Sequence, residues 1–129
     1  MDKTDDRVRI TDADFGTGVL AGLAAEKQRT LSVRRLDAKM TAAFEWLESQ
    51  TEELNLNLRF RISLHEIHQD APVARNAIRG AVARGLAFAD DDHTLYLRID
   101  PEDAEGYFSR LPGTPEMWRK IARIILDTP

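Results

Sequence analysis

The 129 residues contain no cysteine, so disulfides, thiolate metal sites and thiol nucleophiles are excluded. Long apolar runs are also missing. Nothing approaches the ~20 residues needed to cross a bilayer, and the opening Met1-Asp2-Lys3-Thr4-Asp5-Asp6 is too polar for a secretion signal. A cytoplasmic protein with no membrane contact is therefore the default expectation. There are no internal repeats, no low-complexity tract and no long linker. Also absent are a Gly-rich phosphate loop, a His-Glu-x-x-His pair and a Ser nucleophile elbow, and Gly16-Thr17-Gly18 lacks the rest of any nucleotide fingerprint. The expectation is a non-enzyme without catalytic residues, cofactor or metal. Lysine is scarce: four of the 18 basic residues are Lys and the rest Arg, whose planar fork suits phosphate and guanine edges.

Hydrophobic residues make up 43% of the chain and charged residues 31%, the balance of a soluble globular protein of single-domain size. The net charge of −4 does not favour nucleic acid. Its distribution is uneven, however. Residues 59–99 carry six Arg against five acids and all three His, whereas residues 37–58 carry one Lys against five acids.

Along the chain, Arg7-Val8-Arg9-Ile10-Thr11 alternates as a short strand would. Asp12 or Asp14 is the expected N-cap of a helix to about Gln28, with Phe15, Val19, Leu20, Leu23 and Ala24 on one stripe. Glycines 16, 18 and 22 each weaken that helix by roughly 1 kcal/mol relative to Ala, or else permit close helix–helix approach. From Ser32, the spacing of Val33, Leu36, Met40, Ala43, Phe44 and Leu47 predicts an amphipathic helix ending near Glu53. Residues 54–62 then switch to period-two alternation, and their latter part is expected to be a strand. Ser63 with Glu66 forms a capping box for a short helix over residues 64–68. Gln69-Asp70 turns the chain, Asp70 is the expected N-cap, and Pro72 opens a helix to about Arg84. In that helix Val73, Ala74, Ala77, Ile78, Ala81 and Val82 face inward, and Arg75, Asn76, Arg79 and Ala83 face outward. Gly85 is the expected left-handed stop.

A hairpin follows. Its arms are residues 86–89 and 94–99, its tip is Asp90-Asp91-Asp92-His93, and alternation turns Leu95, Leu97 and Ile99 to one face and Thr94, Tyr96 and Arg98 to the other. Asp100-Pro101 and Thr114-Pro115 are two cap-plus-proline signals, opening helices to about Arg110 and to the end of the chain. The last helix turns Met117, Ile121, Ile124 and Ile125 inward. Its broad apolar front, with Trp118 on it, suggests dimerisation through the terminal helices.

The order helix, strand, short helix, turn, helix, Arg-Gly-Leu and hairpin resembles the winged helix-turn-helix superfamily. The resemblance is carried by Ile62-Ser63-Leu64-His65-Glu66-Ile67 and by Val73 through Leu86, and spans about 60 residues when residues 32–53 are taken as the first helix. It implies an α+β, mainly helical fold: an extension over residues 1–31, a winged helix-turn-helix domain over 32–99, and a helical pair over 100–129. It further implies a DNA-binding protein that occupies duplex DNA, a small transcriptional regulator or a plasmid- or phage-type accessory factor acting as a homodimer.

Under the resemblance, helix 72–84 is the recognition helix. Arg75 and Arg79 take guanine edges or phosphates, Asn76 takes adenine, and Arg98 on the wing with Arg59 or Arg61 on the strand holds the backbone. Ser63, at the strand-to-helix junction, is counted with the DNA-facing residues. Asp90, Asp91 and Asp92 run against this, because a DNA-contacting wing tip is usually basic; a winged protein–protein interaction module is the alternative. His65 and His68, with Asp70 and His93 near in sequence, have a spacing that can hold a metal or gate a ligand, but exposed turn histidines are the commoner case and no metal site is assigned.

Overall fold

The computed structural model describes residues 6–65, 70–90 and 93–129. It is an α+β protein, mainly helical, whose elements follow one another as β1 (Val8–Ile10), α1 (Asp12–Ala25), β2 (Thr30–Ser32), α2 (Leu36–Ser49), β3 (Leu56–Leu58), α3 (Pro72–Ala83), β4 (Ala87–Ala89), β5 (Thr94–Leu97), a 3-10 turn (Pro101–Asp103), α4 (Ala104–Arg110) and α5 (Pro115–Asp127). No helix among the described residues is long and apolar enough to cross a membrane.

The centre of the molecule is α1. Its N-cap is Thr11 rather than Asp12 or Asp14. Thr11 Oγ1 accepts the Asp14 amide at 3.1 Å, and Asp14 returns a carboxylate oxygen to the Thr11 amide at 3.0 Å. The reciprocal box satisfies two donors that a lone Asp cap would leave open. Beyond this first turn the helix has no solvent face for much of its length: Gly16, Gly18 and Gly22 are buried along with the apolar stripe. Each glycine is a contact. A Cβ at position 18 would stand 2.2 Å from the Trp118 ring, one at 16 would stand 2.3 Å from the Ala77 carbonyl oxygen, and one at 22 would meet the Trp118 carbonyl at 2.6 Å. Hydrogen in place of a methyl lets α3 and α5 approach α1 from two sides, which offsets the poor helix propensity of the segment.

The strands form two small sheets. β1 runs parallel to β3, with Val8 opposite Leu56 and Ile10 opposite Leu58, an arrangement that requires the long crossover supplied by α1, β2 and α2. The second sheet has strand order β2-β5-β4 and is antiparallel throughout. β2 ends at Ser32, the residue from which the spacing predicts the second helix. Arg35, left-handed at φ 56°, separates Ser32 and Val33 from the helix that starts at Leu36. The Val33 amide instead donates to the His93 carbonyl at 3.0 Å, extending the strand pairing. Val33 and Leu36 mimic helical spacing only because they flank this kink. Arg29 secures the junction, its guanidinium donating to the carbonyls of Ile99 (2.8 Å) and Leu97 (3.2 Å).

After β3 the chain is irregular from Arg59 to His65. Leu64 and His65 are therefore not helical, and the rest of the expected short helix, with the Glu66 half of its capping box, lies outside the described residues. Phe60 anchors the segment, its ring 5.2 Å from both Phe15 and Phe44. The N-cap position of α3 is Ala71 and not Asp70, and it has no side-chain cap: Asp37 of α2 reaches across and accepts the Ala71 amide at 2.9 Å, so an amide at the helix start is satisfied from another helix. Gly85 takes the left-handed position (φ 83°) that ends α3, as its sequence position predicts.

At the C-terminal end, Asp100 does not cap a continuous helix. Its carboxylate pairs with Arg29 at 3.3 Å, and a 3-10 turn precedes α4. Thr114 does cap α5, accepting the Met117 amide at 3.2 Å. The apolar face of α5 is consumed internally. Met117, Trp118, Ile121, Ala122 and Ile125 are buried, α5 packs on both α1 and α2, and Trp118 donates its indole N–H to the Pro112 carbonyl at 2.9 Å. The front that suggested a dimer contact is thus part of the core, with Leu126 the one large apolar side chain of α5 left exposed. A single hydrophobic cluster draws on residues from all three of the segments 1–31, 32–99 and 100–129.

Candidate functional site

The outer face of α3 follows from its sequence. Ala74, Ala77, Ile78 and Ala81 are buried against the core, Val73 and Val82 are half-buried, and Arg75, Asn76, Arg79 and Ala83 face solvent. Small alanines on the inner stripe bring the helix backbone close to α1, and the Gly16–Ala77 contact sets that distance. Arg75, Asn76 and Arg79, spanning little more than one turn, are thereby carried on a rigid element.

The two α3 arginines differ in state. Arg75 Nη2 lies 2.9 Å from Asp37 Oδ2, the same oxygen that accepts the Ala71 amide. Asp37 is 15% exposed and Arg75 51%, so the pair ties the start of α3 to the first turn of α2 while leaving much of the guanidinium in water. Arg79, one turn further on, makes no ion pair among the described residues, and Asn76 beside it makes no hydrogen bond there. Arg84 at the end of the helix is a structural clamp, donating to Thr17 Oγ1 at 2.6 Å and to the Ala13 carbonyl at 3.3 Å.

Between α3, the kink before α2 and the β5 arm of the hairpin lies a groove of about 760 Å³. Leu36, Ile78 and Leu95, each no more than 6% exposed, form its closed floor. Arg35, Arg75, Arg79 and His93 stand at its edge, with Asp37 between them. Arg35 is the residue that reading the sequence missed. As part of a presumed continuous helix it carried no signal; its backbone is left-handed and it lines the groove together with α3. The Arg34-Arg35 doublet was the one available hint.

The other DNA-facing candidates are not gathered here. Arg98 lies with its guanidinium 5.1 Å over the Phe88 ring, which itself stacks on Tyr96 at 5.0 Å. That face of the hairpin is opposite the one carrying Leu95 to the groove. Arg61 lines a separate, smaller hollow beside β3 with Arg7 and Phe60. Ser63 and Arg59 are exposed in the irregular stretch after β3, and the Arg59 amide donates to the Ile10 carbonyl at 2.8 Å. Among the described residues no group of three His, Asp or Glu side chains is placed to hold a metal; His68, Asp91 and Asp92 lie outside them. Asp90 is occupied locally, accepting the Thr94 amide at 3.1 Å and the Tyr96 hydroxyl at 2.9 Å.

Compared with protein-family models, curated proteins and solved structures, the chain matches none of them.

Proposed function

We propose that the chain is a DNA-binding protein of winged-helix type, a small transcriptional regulator or a plasmid- or phage-type accessory factor, with α3 as its recognition helix. One arrangement supports this reading. α1, β2, α2, α3, β4 and β5 follow in that order, and the strand after the first helix lies beside the second arm of the hairpin in the sheet order β2-β5-β4. That is the connectivity of a winged helix, with residues 50–71 as an excursion between its second and third helices. The first helix on this reading is α1, not the segment 32–53. An α3 face bearing Arg75, Asn76 and Arg79 is of a size to enter a major groove and read purine edges. Binding by occupancy of a duplex site requires nothing more of the protein.

Fluorescence anisotropy with a labelled duplex of random sequence tests the proposal. Binding is expected at low salt and falls as salt rises, the log–log slope steepening by about 0.9 for each phosphate neutralised. The variant to use is Asn76→Ala/Arg79→Ala, because neither side chain has a hydrogen-bonded or ionic partner among the described residues, so the fold is undisturbed. It should weaken binding to the random duplex and lower the salt slope by about 1 as the Arg79 phosphate contact is lost. Unchanged affinity in that variant removes α3 as the reading element.

A protein–protein interaction module is the second reading, favoured by the pairing of Arg75 with Asp37 and by the net charge of −4. Lack of any duplex binding at low salt would transfer the function to it.

A further inference from the structure

The groove beside α3 has a composition that duplex binding does not call for. Its floor of Leu36, Ile78 and Leu95 is apolar and sealed, with half-buried Val33 and Val82 on its walls. A phosphate backbone gains nothing from such a floor. Its edge, by contrast, is cationic: three arginines, Arg35, Arg75 and Arg79, line it with one acid, Asp37, which is already engaged by Arg75 and the Ala71 amide. Asp90, at the base of the hairpin tip, is not among the lining residues and accepts the Tyr96 hydroxyl on the opposite face of the sheet. The excess positive charge at the mouth is therefore carried by Arg35 and Arg79. A volume of about 760 Å³ is that of a small-molecule site.

We propose that this groove binds an amphipathic carboxylate: a rigid apolar body seated on Leu36, Ile78 and Leu95, with its carboxylate held by the forks of Arg35 and Arg79. The two parts of the ligand answer the two parts of the site. Arginine presents paired N–H donors matched to a planar carboxylate, and an apolar body removes the floor from water. A neutral apolar molecule leaves the arginines unanswered, and a small hydrophilic acid leaves the floor wet, so both bind worse. Binding of the carboxylate does not depend on the DNA reading. Its consequence for regulation does: Arg79 belongs to both surfaces, so an occupied groove lowers duplex affinity.

The test is titration of the full chain, without DNA, by two-dimensional amide NMR with 2-naphthoate, 2-naphthalenemethanol and acetate as probes. Saturable shifts confined to the start of α2, to α3 and to β5 are expected with 2-naphthoate, with at least tenfold weaker response to the alcohol and to acetate. Arg35→Ala/Arg79→Ala should weaken 2-naphthoate at least tenfold while its unliganded spectrum stays folded. Equal response to the alcohol, scattered shifts over the whole surface, or unchanged affinity in the double variant each overturns the proposal. To guard against a variant that merely relaxes the groove, Val82→Phe narrows it from α3 without touching a charge and should likewise lose 2-naphthoate; retained affinity there also counts against the site. Finally, if 2-naphthoate binds in the groove but leaves duplex anisotropy unchanged, the regulatory consequence falls and the carboxylate site stands.

Discussion

Asp37 does two things with one oxygen. It accepts the Ala71 amide at the start of α3 from a different helix and holds Arg75. Replacing it by Ala leaves the Ala71 amide unsatisfied in a half-closed position, and the expected loss is about 1–3 kcal/mol in a urea melt. Asp37→Asn keeps an acceptor for that amide and removes only the exposed ion pair, so a loss below about 1 kcal/mol is expected. The same Asn variant takes a negative charge from beside α3 and frees Arg75. If α3 meets DNA, duplex binding tightens in Asp37→Asn; weaker binding in a folded Asn variant would contradict the role given to Arg75. At Gly18 the expectation is harsher. A methyl there enters the Trp118 ring, and neither the ring nor the helix has room to give, so Gly18→Ala is expected to cost about 1–3 kcal/mol by overpacking despite its better helix propensity. A melting temperature raised by Gly18→Ala would show that α5 is not seated on α1 as described.

Among the elements, the contrast between the starts of α5 and α3 is instructive. α5 is capped by its own Thr114, and Thr114→Ala should lower stability by ~1 kcal/mol, read as a shift in the denaturation midpoint without a change in slope. α3 has no cap of its own, so Asp70→Ala should be nearly neutral in the same melt although the sequence nominates Asp70. The hairpin is similarly divided between its faces. Leu95 and Leu97 belong to the core, while Phe88, Tyr96 and Arg98 form an exposed stack on the other side. Arg98 is therefore a weak candidate for the same surface as Arg79, and Arg98→Ala is expected to alter duplex affinity far less than Arg79→Ala.

For the whole molecule, α1 is the element on which the others depend. α3, α4 and α5 all pack on it, and Trp118, fully buried, joins α5 to its glycine face. Trp118→Ala is expected to destabilise the entire chain by about 3–5 kcal/mol in one cooperative transition, since a single core runs through all segments. A separate early transition for the C-terminal helices would refute that unity. Salt should act unequally on two properties: duplex binding falls steeply with salt, while folding stability changes little because the ion pairs Arg29–Asp100, Arg75–Asp37, Arg119–Glu105 and Arg123–Glu26 are mostly exposed.

Helix α3 with its inner alanines and outer Arg75, Asn76 and Arg79, the hairpin and its faces, the Gly85 stop and the Thr114 cap were all legible in the order of residues, because each rests on local periodicity or on the stereochemistry of one turn. Partnership was not legible. Nothing local reveals that β2 hides before a left-handed Arg35, that β3 joins β1 instead of the hairpin, that Asp37 reaches the start of α3 from another helix, or that the glycines of α1 are seats for Trp118 and Ala77. Those outcomes depend on which surfaces meet after the chain has closed over distances of 30 residues and more, and on steric room that exists only once they have met. The groove beside α3 belongs to the same class, since its floor and its cations come from three separate parts of the chain.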